Sequence, residues 1–372
     1  MKIVCTGCGE LMQNEINEII QDYDLNKITI GTIGSHSALN IFKGAKEEGF
    51  RTICLCKEED QITYQRFPVA NEIIILDDFK ELLNREVQEK LRRLNTILVP
   101  HGSFNAYLDL DEVINNLHVP MFGNRYLLPW ETNREKQKIW LQKAGLKQPR
   151  TFTSPQDING LTIAKFPGAK GGKGYFLINT PKAFHTSVKD MIEKGFMKKE
   201  DLDQIYLQEY IFGVTIYPSY FNSQLNHEVE LLCVDRRYES SIDSLGRISA
   251  KEQLDMNNLT PTYTVVGNIP ITIRESLLSE YIRMGDNVAK ISEEIAPPGI
   301  IGPFCLETIV NDVPEIFTFE ISARIVAGTN VGIGVSPYAY VKHGEEMMYM
   351  GKRIAKEIKT AITKKKIAQI VT

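Results

Sequence analysis

A basic, glycine-rich segment is the strongest chemical signal in the sequence. Residues 165–176 read KFPGAKGGKGYF and lie between two strand-like runs. Residues without a Cβ let backbone N–H groups close around phosphate oxygens, and lysines add positive charge. A plain β-hairpin with a basic turn is the alternative. The segment is not a P-loop, because Tyr175 follows Gly174 where that motif requires Lys and Ser or Thr.

A second candidate nucleotide contact follows further along the chain. Gln208-Glu209-Tyr210-Ile211 comes after a strand-like run and precedes Phe212-Gly213. This arrangement is expected of a hinge whose backbone reads the edge of an adenine ring. Its presence after the glycine-rich segment favours nucleotide binding over a simple hairpin.

Two acidic residues are predicted to converge on a β-hairpin. The run GPFCLETIV is followed by the turn NDVP and then by EIFTFEISAR. A turn centred on Asp312 and Val313 places Glu307 and Glu320 diagonally across the pair on one face. Paired carboxylates suit magnesium, which prefers hard oxygen ligands and bridges to nucleotide phosphates. A solvated face with cross-strand ion pairs is the alternative.

An arginine shares this face. Glu320, Ser322 and Arg324 project to the same side because strand side chains alternate with a period of two. A guanidinium beside the metal could bind the transferring phosphoryl group or an acyl phosphate, whose oxygens match its fork of donors. Arg324 is therefore a candidate catalytic residue.

Polar loops follow two strands of a predicted N-terminal sheet. ITIGTIG leads into a loop with His36 and Ser37, and TILVP leads into one with His101 and Ser103. Ligands of open α/β sheets bind beyond the carboxyl ends of strands, so these loops are predicted to contact a phosphate-bearing substrate. The alternative is that the serines cap helices and the histidines are incidental loop residues.

The pattern of elements predicts the architecture that positions these residues. From 26 to about 124, β-branched runs alternate with amphipathic segments, which indicates an α/β unit with a parallel sheet. Mixed α+β sequence follows. We predict an N-terminal α/β substrate domain at 1–130, a small subdomain with the glycine-rich loop at 131–205, and a C-terminal subdomain with the metal site at 206–372.

Composition limits the function classes. The chain has 372 residues, 43% hydrophobic and 24% charged, with a formal net charge of −4, so no global field attracts nucleic acid. No apolar run suits a membrane span or secretory signal, which predicts a cytoplasmic protein with reduced cysteines. Cys5 and Cys8 form one C-x-x-C, only half of a usual zinc ligand set.

Together these blocks resemble the ATP-grasp superfamily. More narrowly, the chain resembles archaeal formate-dependent synthetases of 5-formaminoimidazole-4-carboxamide ribonucleotide (FAICAR). The similarity covers about residues 26–372 and includes TIGSHSALNIFKGAKEEGF, VPHGSF, PMFGNR, KFPGAKGGKGYF, DRRYESSID, PPGIIGPFCLE and FEISARIVAGTN. The resemblance implies an N-terminal parallel-sheet domain followed by an ATP-grasp fold, in a homo-oligomer.

The implied reaction is ATP- and formate-dependent formylation of 5-aminoimidazole-4-carboxamide ribonucleotide (AICAR) through formyl phosphate, in purine biosynthesis. The cofactors would be ATP with Mg²⁺, or Mn²⁺ in its place. The resemblance assigns ATP phosphates to Lys165, Gly171, Gly172, Lys173 and Gly174, adenine to Gln208, Glu209, Tyr210 and Ile211, metal to Glu307 and Glu320, the ribonucleotide to His36, Ser37, His101, Ser103 and Asn330, and charge near the transferring phosphate to Arg237 and Arg324.

The sequence departs from this family after the E-x-S-A-R strand. It reads Val326-Ala327-Gly328-Thr329-Asn330, where the family pattern is Asp-Gly-Gly-Thr-Asn. This departure leaves open a paralogous ligase that joins another small carboxylate to an amine. A non-catalytic nucleotide-binding regulator is a separate alternative.

Overall fold

The structure is a computed structural model, and its description covers most of the chain. The described residues are 6–165, 175–193, 195, 197–240, 242–245, 247–255, 264–328, 336–344 and 347–372. Four residues of the predicted phosphate loop, Gly171, Gly172, Lys173 and Gly174, lie outside them, as do Asn330 and Cys5. Within the described part of the chain, three β-sheets position the remaining candidate site residues.

The N-terminal sheet is parallel, as the alternating pattern predicted. Its spatial order is β3-β2-β1-β4. The strands are β1 Thr29–Ile33, β2 Arg51–Cys56, β3 Glu72–Ile75 and β4 Thr96–Leu98. All five residues of β1 are buried, which is expected of a central parallel strand covered on both faces.

A smaller antiparallel sheet follows, in the order β5-β8-β6-β7. Its strands are β5 Thr151–Phe152, β6 Thr162–Lys165, β7 Tyr175–Ile178 and β8 Tyr206–Glu209. Strand β8 lies beyond the predicted subdomain boundary at 205, yet it pairs with both β5 and β6. Local sequence cannot reveal this, because strand pairing joins residues far apart in the chain.

The third sheet has five strands in the order β11-β10-β9-β12-β13, and neighbouring strands are antiparallel. Its strands are β9 Val214–Ser223, β10 Glu228–Glu239, β11 Val265–Pro270, β12 Gly302–Val310 and β13 Ile316–Ser322. A helix covers one side of this sheet with Tyr281, Met284 and Val288, in a core that also contains Tyr220 and Phe304. The two acids predicted to bind metal lie on β12 and β13.

The described helices connect and cover the sheets. They are α1 Thr6–Gln21, α2 Ala38–Glu47, α3 Gln61–Arg66, α4 Arg85–Arg93, α5 Gly102–Tyr107, α6 Leu110–Asn116, α7 Leu128–Thr132, α8 Arg134–Lys143, α9 Pro181–Glu193, α10 Ile242–Leu245, α11 Ala250–Asp255, α12 Glu275–Ile295, α13 Pro337–His343 and α14 Met350–Thr363. None of these helices, within the described residues, has both the length and the apolar character needed to cross a bilayer.

The run WETNREKQKIWLQKAG is divided between α7 and α8. Asn133 lies between them in an extended conformation, and its side chain accepts a hydrogen bond from the Lys136 backbone. This N-cap starts α8 as a separate helix. As a result, Glu131 lies at the end of one helix and Arg134 lies at the start of the next.

The end of the chain returns to the N-terminal domain. Helix α14 packs on α2 so closely that a Cβ on Gly44 would lie 2.2 Å from backbone atoms of Gly351. The Met121 backbone N–H donates to the Thr372 carbonyl over 3.0 Å. The predicted C-terminal subdomain at 206–372 therefore contains a final helix that packs in the N-terminal core.

Candidate functional site

Glu307 and Glu320 are directly opposite each other on β12 and β13. The predicted diagonal register is wrong for two reasons. The connection runs from Asn311 to Glu315, which pair through a backbone hydrogen bond of 3.1 Å, and a bulge shifts the ladder between Glu307 and Thr308. Directly opposed residues of an antiparallel pair project to one face, so the two carboxylates are neighbours.

Arg237 on β10 neutralises one of these acids. Its Nη1 donates to Glu307 Oε2 over 3.0 Å and its Nη2 contacts Glu307 Oε1, in a bidentate pair. The guanidinium carbon lies 4.2 Å from the centre of the Tyr217 ring. The buried Glu307 carboxylate and the Arg237 guanidinium therefore line one side of the site as a bidentate ion pair.

Glu320 is the more accessible acid and is only half-buried. Burial, followed by the charge of Glu307, raises its pKa to about 7, while Arg237 and Lys165 oppose that rise. Two carboxylates held together in this way repel each other, and a divalent cation would relieve the repulsion. The donor chemistry therefore fits Mg²⁺ or Mn²⁺. No group of three or more His, Cys, Asp or Glu side chains among the described residues could hold a metal alone.

Lys165 ends β6 next to this acidic pair. Its Nζ donates to Gln208 Oε1 on β8 over 2.9 Å and lies 5.7 Å from the centre of the Phe319 ring. Burial, followed by the charge of Arg134, lowers its pKa to about 8, while Glu320 opposes that change. A buried ammonium in this position can meet a phosphate oxygen, as predicted for the strand that precedes the glycine-rich loop.

The segment predicted to contact adenine contains one inward and one outward side chain. Gln208 is buried and accepts from Lys165, whereas Glu209 forms two hydrogen bonds of 3.1 Å with Arg150 near the surface. The Tyr210 backbone N–H donates to the Leu161 carbonyl over 2.9 Å. Ile211 continues the chain to Gly213. The adenine assignment therefore remains a prediction about backbone groups rather than about these paired side chains.

His101 is a fully buried structural residue. Its Nε2 lies 2.8 Å from the Ile33 carbonyl oxygen, and its Nδ1 accepts from the Ser103 backbone N–H over 3.2 Å. These partners require the neutral tautomer with hydrogen on Nε2. Burial lowers its pKa to about 4, against the opposing hydrogen bond to Ile33. The imidazole caps α5, and Ser103 is also buried. The capping residue of this loop is therefore the histidine, whereas the alternative from sequence gave that role to a serine.

His36 is the accessible histidine of the two loops. It has a positive φ of 52°, and its ring is parallel to that of His101, with 5.6 Å between ring centres. Burial, followed by the charges of His101 and Arg324, lowers its pKa. The His36 ring packs directly on Gly102, where a Cβ would lie 2.9 Å from His36 Nε2. The stacked pair places a neutral imidazole at the mouth of the site.

Ser37 connects the same loop to the strand end that carries Arg324. Its Oγ donates to the Val326 carbonyl over 3.0 Å and lies 3.1 Å from His36 Nδ1. Ser37 is completely buried, so it orients the loop rather than facing solvent. The N-terminal loops and the C-terminal acids thus meet at the segment after β13.

Three further residues of the site were not predicted. Glu131 Oε1 accepts a hydrogen bond from Arg324 Nε over 3.1 Å. Asp235 is buried on β10, and this burial raises its pKa to about 7. Arg134 begins α8, lies 5.8 Å from the centre of the Tyr206 ring, and acts electrostatically on Lys165 and Glu320. Arg134 and Glu131 lie in a charged helical run, where nothing in one sequence separates them from solvated residues.

Comparisons with known proteins agree with this architecture. A family described as "Domain of unknown function (DUF1297)" matches residues 183–372, and one described as "Protein of unknown function (DUF1246)" matches residues 30–152. A solved structure of "an IMP biosynthesis protein PurP from Thermococcus kodakaraensis" has a TM-score of 0.72 and 29% identity, covering 92% of this chain and 100% of that one.

A more distant structure shares the fold. The N5-carboxyaminoimidazole synthetase from Staphylococcus aureus, solved in complex with ADP, has a TM-score of 0.58 and 15% identity, covering 84% of this chain and 75% of that one. The fold predicted from sequence is confirmed: an N-terminal parallel-sheet domain is followed by an ATP-grasp fold.

Full-length relatives are more similar. A 5-formaminoimidazole-4-carboxamide-1-(beta)-D-ribofuranosyl 5'-monophosphate synthetase from Archaeoglobus fulgidus is 50% identical and covers 97% of this chain and 99% of its own. The protein of the same name from Methanocaldococcus jannaschii is 46% identical, over 97% of this chain and 100% of its own. With this identity along nearly its whole length, the chain belongs to the 5-formaminoimidazole-4-carboxamide ribonucleotide synthetase family.

Proposed function

We propose that this protein is an ATP-dependent carbon–nitrogen ligase that formylates AICAR to FAICAR with formate. A formate oxygen attacks the γ-phosphorus of ATP, and the bond to ADP breaks. The 5-amino nitrogen of AICAR then attacks the formyl carbon, phosphate leaves, and the nitrogen loses a proton. No covalent enzyme intermediate is required, because positioning and electrostatics suffice for phosphoryl transfer.

The proposed nucleotide site lies between the middle sheet and β12–β13. Lys165 and the loop that ends at Gly174 would hold the phosphates, and the backbone from Gln208 to Ile211 would hold adenine. The burial of the Lys165 ammonium supports this role, since a desolvated cation binds an anion more strongly than an exposed one.

The proposed metal ligands are Glu307 and Glu320. When bound there with ATP, Mg²⁺ or Mn²⁺ would neutralise charge on the phosphates. Arg237 holds the Glu307 carboxylate in place through its bidentate pair. This leaves Glu320 as the acid whose charge most needs a cation.

The proposed ribonucleotide site lies at the strand-end loops of the N-terminal sheet. His36 would face the substrate directly, whereas Ser37, His101 and Ser103 would hold the loops in shape, as their buried contacts support. Arg324 would bind the transferring phosphoryl group or formyl phosphate.

One observation carries the proposal beyond family membership. The loop with His36 and Ser37 contacts Val326, two residues after Arg324 and next to the strand that carries Glu320. This contact supports a single site for the groups proposed to bind the amine substrate and to act in phosphoryl transfer, as acyl transfer from a short-lived acyl phosphate requires.

The direct test is mass spectrometry of the products formed from ATP, Mg²⁺, isotopically labelled formate and AICAR. We expect FAICAR carrying the formate label, with ADP release that needs formate and AICAR together. Formation of an amide from another carboxylate instead would indicate the paralogous ligase. ADP binding with no turnover of any pair would indicate a nucleotide-binding regulator.

The remaining partners follow from the same proposal. They are the small molecules ATP, formate and AICAR, with no nucleic acid or membrane partner, in a cytoplasmic homo-oligomer. The charge of −4 supports the absence of a nucleic-acid partner. Light scattering of the purified protein measures the oligomeric state.

A further inference from the structure

Glu131 is a buried carboxylate at the junction of the two halves of the site. Its side chain is 3% exposed, and it lies on α7, outside every motif linked to catalysis above. Its Oε1 accepts from Arg324 Nε over 3.1 Å, and its Oε2 accepts from the Ala323 backbone N–H over 2.6 Å. One carboxylate thus fixes both the arginine side chain and the backbone that carries it.

The same carboxylate contacts the helix that follows the N-terminal loop with His101. Asn105 on α5 donates from its Nδ2 to Glu131 Oε1. This helix begins immediately after His101, whose imidazole caps it. A displacement of the loop that contains His101 would therefore move a hydrogen-bond partner of Glu131.

Backbone contacts strengthen this connection. His101 forms a parallel bridge with Ile325, and Ser37 donates to the Val326 carbonyl. The two residues that follow Arg324 are thus attached to the two N-terminal loops. Glu131 holds the Arg324 side chain, and the two loops hold the backbone that follows it.

We propose that Glu131 is the positioning residue that sets the orientation of the Arg324 guanidinium and connects it to the loop through Asn105. It does not touch substrate. This inference rests on the proposed function for the role of Arg324, but the ion pair and its geometry do not depend on the identity of the substrate.

The physical basis is the burial of the pair. An arginine bound through Nε to a fixed carboxylate presents its remaining N–H donors in a defined plane. Burial raises the pKa of Glu131, while the charge of Arg324 opposes that change. The ion pair therefore stabilises the charged form of the Glu131 carboxylate. Loss of the carboxylate would let the guanidinium turn, and a misplacement of about 1 Å can cost about 100-fold in rate.

A double-mutant cycle tests the proposal. Wild type, Glu131→Gln, Arg324→Ala and the double variant are compared for kcat and KM in ADP release, and for ADP affinity by calorimetry. We expect Glu131→Gln to lower kcat about 10- to 100-fold with ADP affinity unchanged. In the Arg324→Ala background it should have no further effect on kcat, because its partner is absent.

Two results would overturn the proposal. One is an additive loss of kcat in the double variant, and the other is an equal loss of ADP affinity, which would indicate general damage to the fold. Glu135→Gln on α8 is the control, since Glu135 is exposed and also acidic. If Glu131→Gln does not fold, Asn105→Ala takes its place in the cycle, with a smaller loss of kcat that again disappears without Arg324.

A measurement without turnover separates this inference from the proposed function. In protein labelled with ¹⁵N-arginine, the Arg324 Nε–H signal is identified by its loss in Arg324→Ala. We expect slow hydrogen exchange of this signal in wild type and fast exchange in Glu131→Gln. Fast exchange in wild type would refute the positioning role, whereas failure to form labelled FAICAR would refute only the proposed reaction.

Discussion

Glu307 lies directly opposite Glu320 across β12 and β13, and the two carboxylates project to the same face of the sheet. Arg237 forms a bidentate pair with Glu307, whereas burial and the charge of Glu307 raise the pKa of Glu320 to about 7 against the charges of Arg237 and Lys165. Because Arg237 already pairs with Glu307, the loss of Glu320 should have the larger effect on cation binding, and substitution of each acid tests this.

Glu320→Ala should weaken binding of Mn²⁺ with ADP and lower the rate of ADP formation about 100-fold or more, because one oxygen ligand and its charge are lost. Electron paramagnetic resonance of free Mn²⁺ measures the binding. Glu315→Ala is the control, since Glu315 pairs with Lys147 on the hairpin surface. Near-normal activity and Mn²⁺ binding in Glu320→Ala would remove the metal assignment.

Lys165→Met should weaken ADP binding about 10- to 100-fold, because the variant keeps the length of the side chain but loses its buried charge. Isothermal titration calorimetry measures the change. Lys189→Met serves as the control, because Lys189 is on the exposed side of α9. An unchanged dissociation constant in Lys165→Met would place the phosphates elsewhere.

The stability of the protein should fall on acidification between pH 6.5 and 4, in part because of His101. The folded protein holds this imidazole neutral, with a pKa of about 4 against 6.5 in the unfolded chain. The unfolded state therefore binds the extra proton in this range, and stability falls as the pH falls. His101 should contribute about 3 kcal/mol of this loss, with its full effect reached below pH 4.

The variant His101→Asn removes this titration and retains an N-cap for α5. Its free energy of unfolding, from urea denaturation at several pH values, should depend less steeply on pH than that of wild type. His185→Asn, at an exposed histidine of α9, is the matched control. Parallel pH profiles for wild type and His101→Asn would contradict the burial of a neutral imidazole.

Gly351→Ala should destabilise the protein although it lies in a helix. Alanine favours a helix over glycine by about 1 kcal/mol, but a Cβ on Gly351 would lie 2.0 Å from the Asn40 carbonyl oxygen. Relief of that overlap requires α2 and α14 to separate, at a cost of about 1–3 kcal/mol or more. Thermal denaturation measures the result. Gly160→Ala, with open space around it, should have little effect, and equal melting temperatures would rule out the close helix contact.

Much of the architecture could be predicted from the sequence. Alternating β-branched and amphipathic segments indicated the parallel N-terminal sheet, because side-chain periodicity reflects which faces are buried. The order of the motifs, from the lysine-bearing strand to the E-x-S-A-R strand, indicated the ATP-grasp fold. It also placed Glu307 and Glu320 on adjacent strands, since a short turn forces neighbouring strands to pair.

Tertiary structure decided the relationships among distant residues. The hairpin register depends on a bulge after Glu307, the partner of Lys165 comes from β8, and the orientation of Arg324 depends on Glu131 at the end of α7. Each of these contacts joins segments whose approach is fixed by packing of the whole chain, which local periodicity does not encode. The sequence alone therefore determined which chemical groups are present and in what order, whereas the packed fold decided which of them are neutralised, buried or available to a ligand.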